Sequence, residues 1–333
     1  MSANKEKITS KTINVNMKIR PHKKYNPPEP NNKNLPPLWF SLLSSSSKNT
    51  GKTWNVIELI TAYENSGITQ DGEKAEIRTI WFSGSTATSD NNSIIRTLKS
   101  LDFEDIHNIS RSNVDKFDEV YAEALKEKQD IEDYMEYETA WKKWKKEGED
   151  KLSNLELLLL DEKDFVKPKD LMDVPKYKRP RVIFWVMDDL ISNPLVFNQR
   201  KENFVNNMII RHRHSARELV PVNLLLISQN FKSVSTLIRK NIDIFVLLKN
   251  ANKIKLLENI SNEVGSIIGL KQLEELYDYA TSFPFGSLIV NTHPKEKIKF
   301  RKGWDTELCL KNYCDCVSKG KPEGSCGKEI KKI

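Results

Sequence analysis

The run Ser46-Ser47-Lys48-Asn49-Thr50-Gly51-Lys52-Thr53 sets a lysine and a hydroxyl directly after a glycine. It lies between the apolar run Leu38 to Leu43 and the helical stretch Trp54 to Tyr63. This is the context of a phosphate-binding loop. A strand delivers the chain to a turn whose backbone N–H groups wrap the β-phosphate, and a helix leaves with its N-terminal dipole aimed at the same anion. Lys52 then reaches the β- and γ-phosphates and the Thr53 hydroxyl binds Mg²⁺, so ATP and Mg²⁺ are the expected cofactors. The pattern G-x-x-x-x-G-K-[ST] has Ser46 at its first glycine, a position serine can occupy if its φ is negative. A Gly-Lys-Thr tripeptide by itself also fits a helix N-terminus that happens to carry a lysine.

A second group completes such a site. Arg181-Val182-Ile183-Phe184-Trp185-Val186-Met187-Asp188-Asp189 is a nearly unbroken apolar run ending in two acids. Apolar runs without alternation mark strands buried on both faces, as in a parallel sheet covered by helices. Acids at the carboxyl end of such a strand stand where open α/β sheets bind ligands. Asp188 is placed to hold Mg²⁺ through water, and Asp189 to orient or deprotonate the attacking water. Strand alternation puts the two on opposite sides of the strand end. Without the upstream loop the same pair reads as a polar turn. Two further residues follow: Gln229, ending the buried run from Val222, and Arg239, on a short helix from Ser233. A glutamine there can bond both the γ-phosphate and the attacking water. An arginine at a domain edge suits a finger that stabilises charge on the transferring phosphoryl group, in its own subunit or a neighbour's. Taken singly, they are an ordinary strand-end residue and an ordinary surface cation.

The elements that must position these residues can be read along the chain. Residues 1–36 are Asn/Lys/Pro-rich and carry a net charge of +6, composing a disordered basic arm. Residues 37–308 form the expected ATPase domain. Strands are expected at Ile77 to Phe82, Asp243 to Lys249, Ser287 to Asn291 and Lys297 to Arg301, with a loop over Ser83 to Ser93. Helices are expected over Asn203 to Glu218, Asn252 to Glu263 and Leu270 to Ala280. A charged insert over about 113–160 repeats Phe117, Tyr121, Ala124, Ile131, Tyr134, Met135, Trp141 and Trp144 at helical spacing, as an amphipathic helical pair packed on the sheet would. Strands alternating with helices give an α/β fold with a mostly parallel sheet. Residues 309–333 form a Cys/Lys-rich tail, of which 311–333 carries +3, leaving −2 for the body of a chain whose net charge is +7. All four cysteines, Cys309, Cys314, Cys316 and Cys326, lie in that tail, which excludes a disulfide framework for the fold. They are thiols enough for zinc but lack paired C-x-x-C knuckles, and free thiols are the other reading. No apolar segment reaches the length of a membrane span, and no secretory h-region opens the chain. Basic tails bind nucleic acid by counterion release or are simply solvated ends.

Gly51-Lys52-Thr53, Asp188-Asp189, Arg211-His212, Ser228-Gln229 and Leu237-Ile238-Arg239-Lys240-Asn241, in this order, resemble the poxvirus-type DNA-packaging ATPases of large DNA viruses and virophages. These belong to the FtsK–HerA superfamily of ring-forming motors. The likeness runs from about Leu38 to about Leu308 and includes Tyr277-Asp278-Tyr279-Ala280-Thr281 and Phe285-Gly286-Ser287-Leu288-Ile289-Val290. It implies a RecA-like core in which the Gln229 strand lies between the loop and acid strands. It further implies a homo-oligomeric ring acting on double-stranded DNA at a capsid or portal, in the host cytoplasm, a viral factory or the virion. Ser46 departs from the family's glycine, and Asp189 stands where bacterial and archaeal relatives usually carry glutamate. A cellular or plasmid motor of the same superfamily, and a switch that binds nucleotide without turnover, stay open as alternatives. The cluster Arg211-His212-Arg213-His214 reads equally as a coupling element toward DNA or the next subunit and as a cationic helix end.

Overall fold

The structure is a computed structural model that describes residues 28–84, 93–103, 105–109, 114–190, 204–213, 219–264, 268–293, 296, 298–310 and 330–331. In chain order the strands are β1 (Glu29–Pro30), β2 (Ser41–Ser45), β3 (Ile68–Gln70), β4 (Glu73–Ala75), β5 (Ile77–Ser83), β6 (Asp105–Asn108), β7 (Val182–Asp188), β8 (Val222–Ser228), β9 (Ile244–Leu248), β10 (Ser287–Asn291), β11 (Phe300–Lys302), β12 (Thr306–Leu310) and β13 (Ile330–Lys331). The helices are α1 (Lys52–Ser66), α2 (Ser93–Ser100), α3 (Lys116–Glu147), α4 (Asn154–Asp161), α5 (Pro168–Leu171), α6 (Phe204–Arg211), α7 (Thr236–Arg239), α8 (Lys253–Val264) and α9 (Leu270–Ala280).

The main sheet runs β13-β12-β11-β10-β9-β2-β8-β7-β5-β6. From β9 through β6 every pairing is parallel, and β10 to β13 extend that block antiparallel. The fold is therefore α/β, with a mostly parallel sheet between helices. The strands β2, β7, β8 and β9 are buried on both faces, which is why β7, β8 and β9 are mostly apolar without alternation, while β2 buries three serines beside Leu42 and Leu43. One face packs α1, whose Val56, Leu59, Ile60 and Tyr63 meet Phe40, Trp81 and Phe184. The other packs the first turns of α3 together with α8 and α9, through Phe117, Val120, Leu256, Ile260, Leu273 and Leu276.

Four expectations are corrected. The strand into the phosphate loop is Ser41–Ser45, shifted from the apolar run Leu38 to Leu43, because pairing with Leu224 to Ser228 carries it to the sheet edge. The last strand lies at Phe300–Lys302 rather than Lys297 to Arg301, and β12 returns beside it. Of the expected arm of residues 1–36, the described part is folded onto the body. Glu29 and Pro30 pair with Thr69 and Ile68, the Asn31 N–H donates to the Gly67 carbonyl (3.0 Å), and Leu35 is buried; residues 1–27 lie outside the described residues. The insert is a helical pair, but only its beginning packs on the sheet. Over its 32 residues α3 passes from the main core to a separate cluster of Tyr137, Ala140 and Leu160, with Trp141, Trp144 and Phe165 around it. Tyr137 Oη donates to the Val166 carbonyl (2.6 Å), closing that small core. Among the described residues no helix is long and apolar enough to cross a membrane.

Candidate nucleotide site

The parallel strands bring their carboxyl ends into one row, with Ser83 opposite Asp188, Asp188 opposite Ile227, and Ser228 opposite Ser45. Strand β8 lies between β2 and β7, the order the resemblance implies. Above this edge opens a cleft of about 390 Å³ walled by Lys48 to Trp54, Asp188, Asp189 and Gln229. Residues separated by 177 positions in sequence, Lys52 and Gln229, thus share one cavity.

The loop from Ser46 to Thr53 turns twice through the left-handed region, at Asn49 (φ 59°) and Gly51 (φ 94°). Asparagine tolerates that region and glycine is free in it. At Gly51 the requirement is double, since an added Cβ would stand 3.2 Å from Phe285 Cδ1. Ser46 is not among the positive-φ residues, so its side chain is compatible with the loop. It is fully buried, its hydroxyl donating to the Lys249 carbonyl (2.8 Å) and its N–H to the Ser228 carbonyl (3.2 Å). Where a glycine would leave the loop base tied by backbone alone, Ser46 fastens it to the chain leaving β9. Helix α1 begins at Lys52, so the first N–H groups of a 15-residue helix face the loop's concavity.

The Lys52 ammonium is nearly buried and donates to the Ser47 carbonyl (2.6 Å), curled within its own loop. Burial lowers its pKa, against the opposing pull of Asp189 and Asp188. Asp188 is buried at the end of β7, and burial, reinforced by the Asp189 charge and offset by Lys52, raises its carboxyl to about 7. A carboxylate so placed is short of positive charge. With the Thr53 hydroxyl in the same cleft, the pair has the hard oxygen donors that suit Mg²⁺, and these residues would hold it.

Asp189 corrects an expectation. Its φ of 55° ends the strand alternation, and its N–H donates to the Ile227 carbonyl (3.1 Å). Both acids consequently line the same cleft instead of opposite sides of the strand end. Gln229 Nε2 donates to Asp189 Oδ2 (2.6 Å), so the glutamine and the candidate base are already in contact. Arg239 lies elsewhere. It does not line this cleft; its guanidinium sits over the Phe231 ring at 5.2 Å, with Glu263 Oε1 3.7 Å from Nε and the Thr236 hydroxyl accepting from Nη2 (3.2 Å).

The basic cluster divides. Arg211 is exposed at the end of α6, where a cation suits the helix dipole. His212 is buried with Nδ1 2.9 Å from the Ile209 carbonyl, and Arg213 pairs with buried Asp243. Asp243 Oδ2 also accepts from the Ser41 N–H (2.9 Å) and hydroxyl (3.0 Å). That network ties the starts of β2 and β9 at the sheet edge opposite the cleft. His214 and Cys314, Cys316 and Cys326, with the zinc reading of the cysteines, lie outside the described residues.

Three contributors had no sequence signal. Ser83 ends β5 and Thr97 lies on α2, and both line the cleft. Asn55 is buried, with its Nδ2 donating to the Gly51 carbonyl (3.2 Å), its Oδ1 accepting from the Ser287 hydroxyl (2.8 Å) and its carbonyl from Trp304 Nε1 (2.8 Å). An asparagine in a helix is unremarkable until the partners from residues 287 and 304 are in place.

No protein-family profile and no curated protein matches the chain. Among solved structures, it is similar to EssC (ATPases 2 and 3) from Geobacillus thermodenitrificans at 14% identity, with a TM-score of 0.42 over 80% of this chain. The chain spans 39% of that EssC chain's length. It is also similar to B204, the DNA-packaging ATPase from Sulfolobus turreted icosahedral virus, at 11% identity and a TM-score of 0.41, covering 80% of this chain and 97% of B204. The genome-packaging NTPase B204 from Sulfolobus turreted icosahedral virus 2, in complex with ATP-gammaS, aligns at 12% identity and a TM-score of 0.39, covering 79% of this chain and 96% of that one.

Proposed function

We propose that the chain is a P-loop ATPase of the FtsK–HerA type, working as a homo-oligomeric ring that drives double-stranded DNA into a viral capsid. The observation that carries the ATPase reading is the convergence of Lys52, Asp188, Asp189 and Gln229 on one cleft at the end of β2, β7 and β8. ATP lies with its β-phosphate over the loop N–H groups, and Lys52 turns from Ser47 to the β- and γ-phosphates. Thr53 and Asp188 would hold Mg²⁺, which when bound neutralises charge on the phosphate oxygens. Asp189 accepts a proton from a water whose oxygen attacks the γ-phosphorus, while the bond to the bridging oxygen breaks and ADP leaves. On this reading Gln229, bonded to Asp189, registers the γ-phosphate and the water together. Arg239 of a neighbouring subunit supplies the charge that stabilises the transferring phosphoryl group.

The DNA and capsid assignments rest on the ordered resemblance from Gly51-Lys52-Thr53 to Arg239-Lys240-Asn241. On this reading the protein works in the host cytoplasm, a viral factory or the virion, in contact with capsid or portal proteins. The test is ATP turnover by the purified chain with and without double-stranded DNA. Stimulation by DNA is the expected result. Tight nucleotide binding without turnover under either condition would replace the motor with a nucleotide-dependent switch.

A further inference from the structure

A second cleft, of about 790 Å³, opens on the far side of the phosphate loop, walled by Gly51, Trp54, Glu58, Phe285, Lys302 and Asp305. Gly51 and Trp54 line both cavities, so the two meet at the start of α1. We propose that this second cleft is the subsite for the nucleobase, where Phe285 and Trp54 provide stacking surface and Glu58 and Asp305 favour the exocyclic amine of adenine. The proposal rests on the phosphate-loop reading above and adds the residues that select the base.

Three observations carry it. Two large aromatics of its wall are exposed, Trp54 at 50% and Phe285 at 66%. Rings left in water at the mouth of a cavity are the surface on which a flat base stacks, and they accept any base by its π-face. Phe285, secondly, is held at φ 61°, a left-handed conformation that a bulky residue rarely adopts. The surrounding turn enforces it. Gly286 follows, its N–H donating to the Phe283 carbonyl (3.0 Å), and a Cβ there would fall 2.5 Å from the Ala280 carbonyl oxygen. Strain kept by its surroundings is found at ligand sites. Thirdly, the walls are fixed to the phosphate loop and to one another, since Asn55 bonds Gly51, Ser287 and Trp304 at once. The spacing between a bound triphosphate and the aromatic turn is therefore built into the fold.

The polar groups supply the choice of base. Glu58 lies one turn beyond Trp54 on the same face of α1, and Asp305 faces the cleft from the turn between β11 and β12. A carboxylate oxygen accepts hydrogen bonds, so at the six-position it favours the N6 amine of adenine over the O6 carbonyl of hypoxanthine, which leaves only N1–H as a donor on that edge. Lys302 rests over the Phe283 ring at 4.1 Å, which keeps its ammonium at the rim.

The test is the affinity of the full chain for Mg-ATP, Mg-ITP and inorganic tripolyphosphate by titration calorimetry, for the parent, Phe285→Ala and Phe285→Leu. The parent is expected to bind ATP more tightly than tripolyphosphate, and ITP several-fold more weakly than ATP. Both variants should lose about 5- to 150-fold in ATP affinity, the equivalent of ~1–3 kcal/mol of stacking, with tripolyphosphate affinity retained. Phe285→Leu keeps an apolar side chain in the turn, so it decides the matter if Phe285→Ala misfolds. Equal parental affinities for ATP and tripolyphosphate, or unchanged ATP binding by Phe285→Leu, would overturn the base subsite and leave the phosphate loop standing. Equal affinities for ATP and ITP would remove Glu58 and Asp305 from it. A parent that binds ATP but no tripolyphosphate would instead overturn the phosphate-loop reading.

Discussion

At the scale of single residues, the cleft is a problem in charge placement. Lys52 is nearly buried and its ammonium is held by the Ser47 carbonyl of its own loop, so truncating it removes phosphate charge compensation with little loss of packing. Lys52→Ala is expected to abolish ATP hydrolysis while its unfolding temperature stays close to that of the parent; a variant turning over ATP at the parental rate would remove the loop from the mechanism. The acids differ in burial, and their variants should differ too. Asp188→Asn should weaken Mg²⁺-dependent nucleotide binding, whereas Asp189→Asn should slow turnover far more than it weakens binding. Equal effects of the two on both quantities would contradict that division. Asp188 also sets a pH dependence. Its folded pKa of about 7 lies above the ordinary aspartate value, so the folded state holds the proton more tightly. Its contribution to stability is complete at low pH and is lost as pH rises from ~4 toward 7, by on the order of 1.4 kcal/mol for each tenfold fall in proton concentration. Without nucleotide or metal, Asp188→Asn should therefore melt several degrees above the parent at pH 8, with the gap closing as pH falls toward 5. A gap that is absent at pH 8 would mean that the Asp188 charge is not penalised there.

At the scale of elements, the insert and the sheet are separable. Helix α3 begins in the main core and ends in the cluster with Leu160, none of whose residues lines the nucleotide cleft. Leu160→Ala should cost ~2–5 kcal/mol locally. It should raise hydrogen exchange between residues 137 and 172 and leave ATP turnover unchanged; a parallel fall in turnover would tie the insert to the site. The elements that carry the chemistry were the most legible ones. The buried strands β7 and β8 write themselves as apolar runs, β2 less so because it is Ser-Leu-Leu-Ser-Ser, and the punctuation after all three, Gly51-Lys52-Thr53, Asp188-Asp189 and Gln229, falls on the ligand edge. What stayed hidden has physical reasons. Strand β6 is a short edge strand with Asp105 and His107 in it, so its sequence has no apolar signature. β1 is made of Glu29 and Pro30, held by backbone pairing that composition does not encode. The left-handed turn at Asp189 overrides the alternation from which opposite faces are inferred. Ser46, a departure in the motif, proves a buried hydrogen-bond donor whose partner is 203 residues away.

At the scale of the whole molecule, the protein has a cleft with a base acceptor, a glutamine and a phosphate loop, and an arginine that lies outside it. If Arg239 serves a neighbour, Arg239→Ala should bind ATP normally and hydrolyse it more slowly, by a factor reaching ~10³ for a true finger. Full activity of that variant would reduce Arg239 to a largely buried structural cation held between Phe231 and Glu263. Directional work on DNA is the central claim, and displacement of a triplex-forming strand from double-stranded DNA reads it most directly. The parent with Mg-ATP should displace the third strand, and neither the parent without ATP nor Lys52→Ala should do so. ATP turnover at full rate with the third strand left in place would contradict a translocating motor.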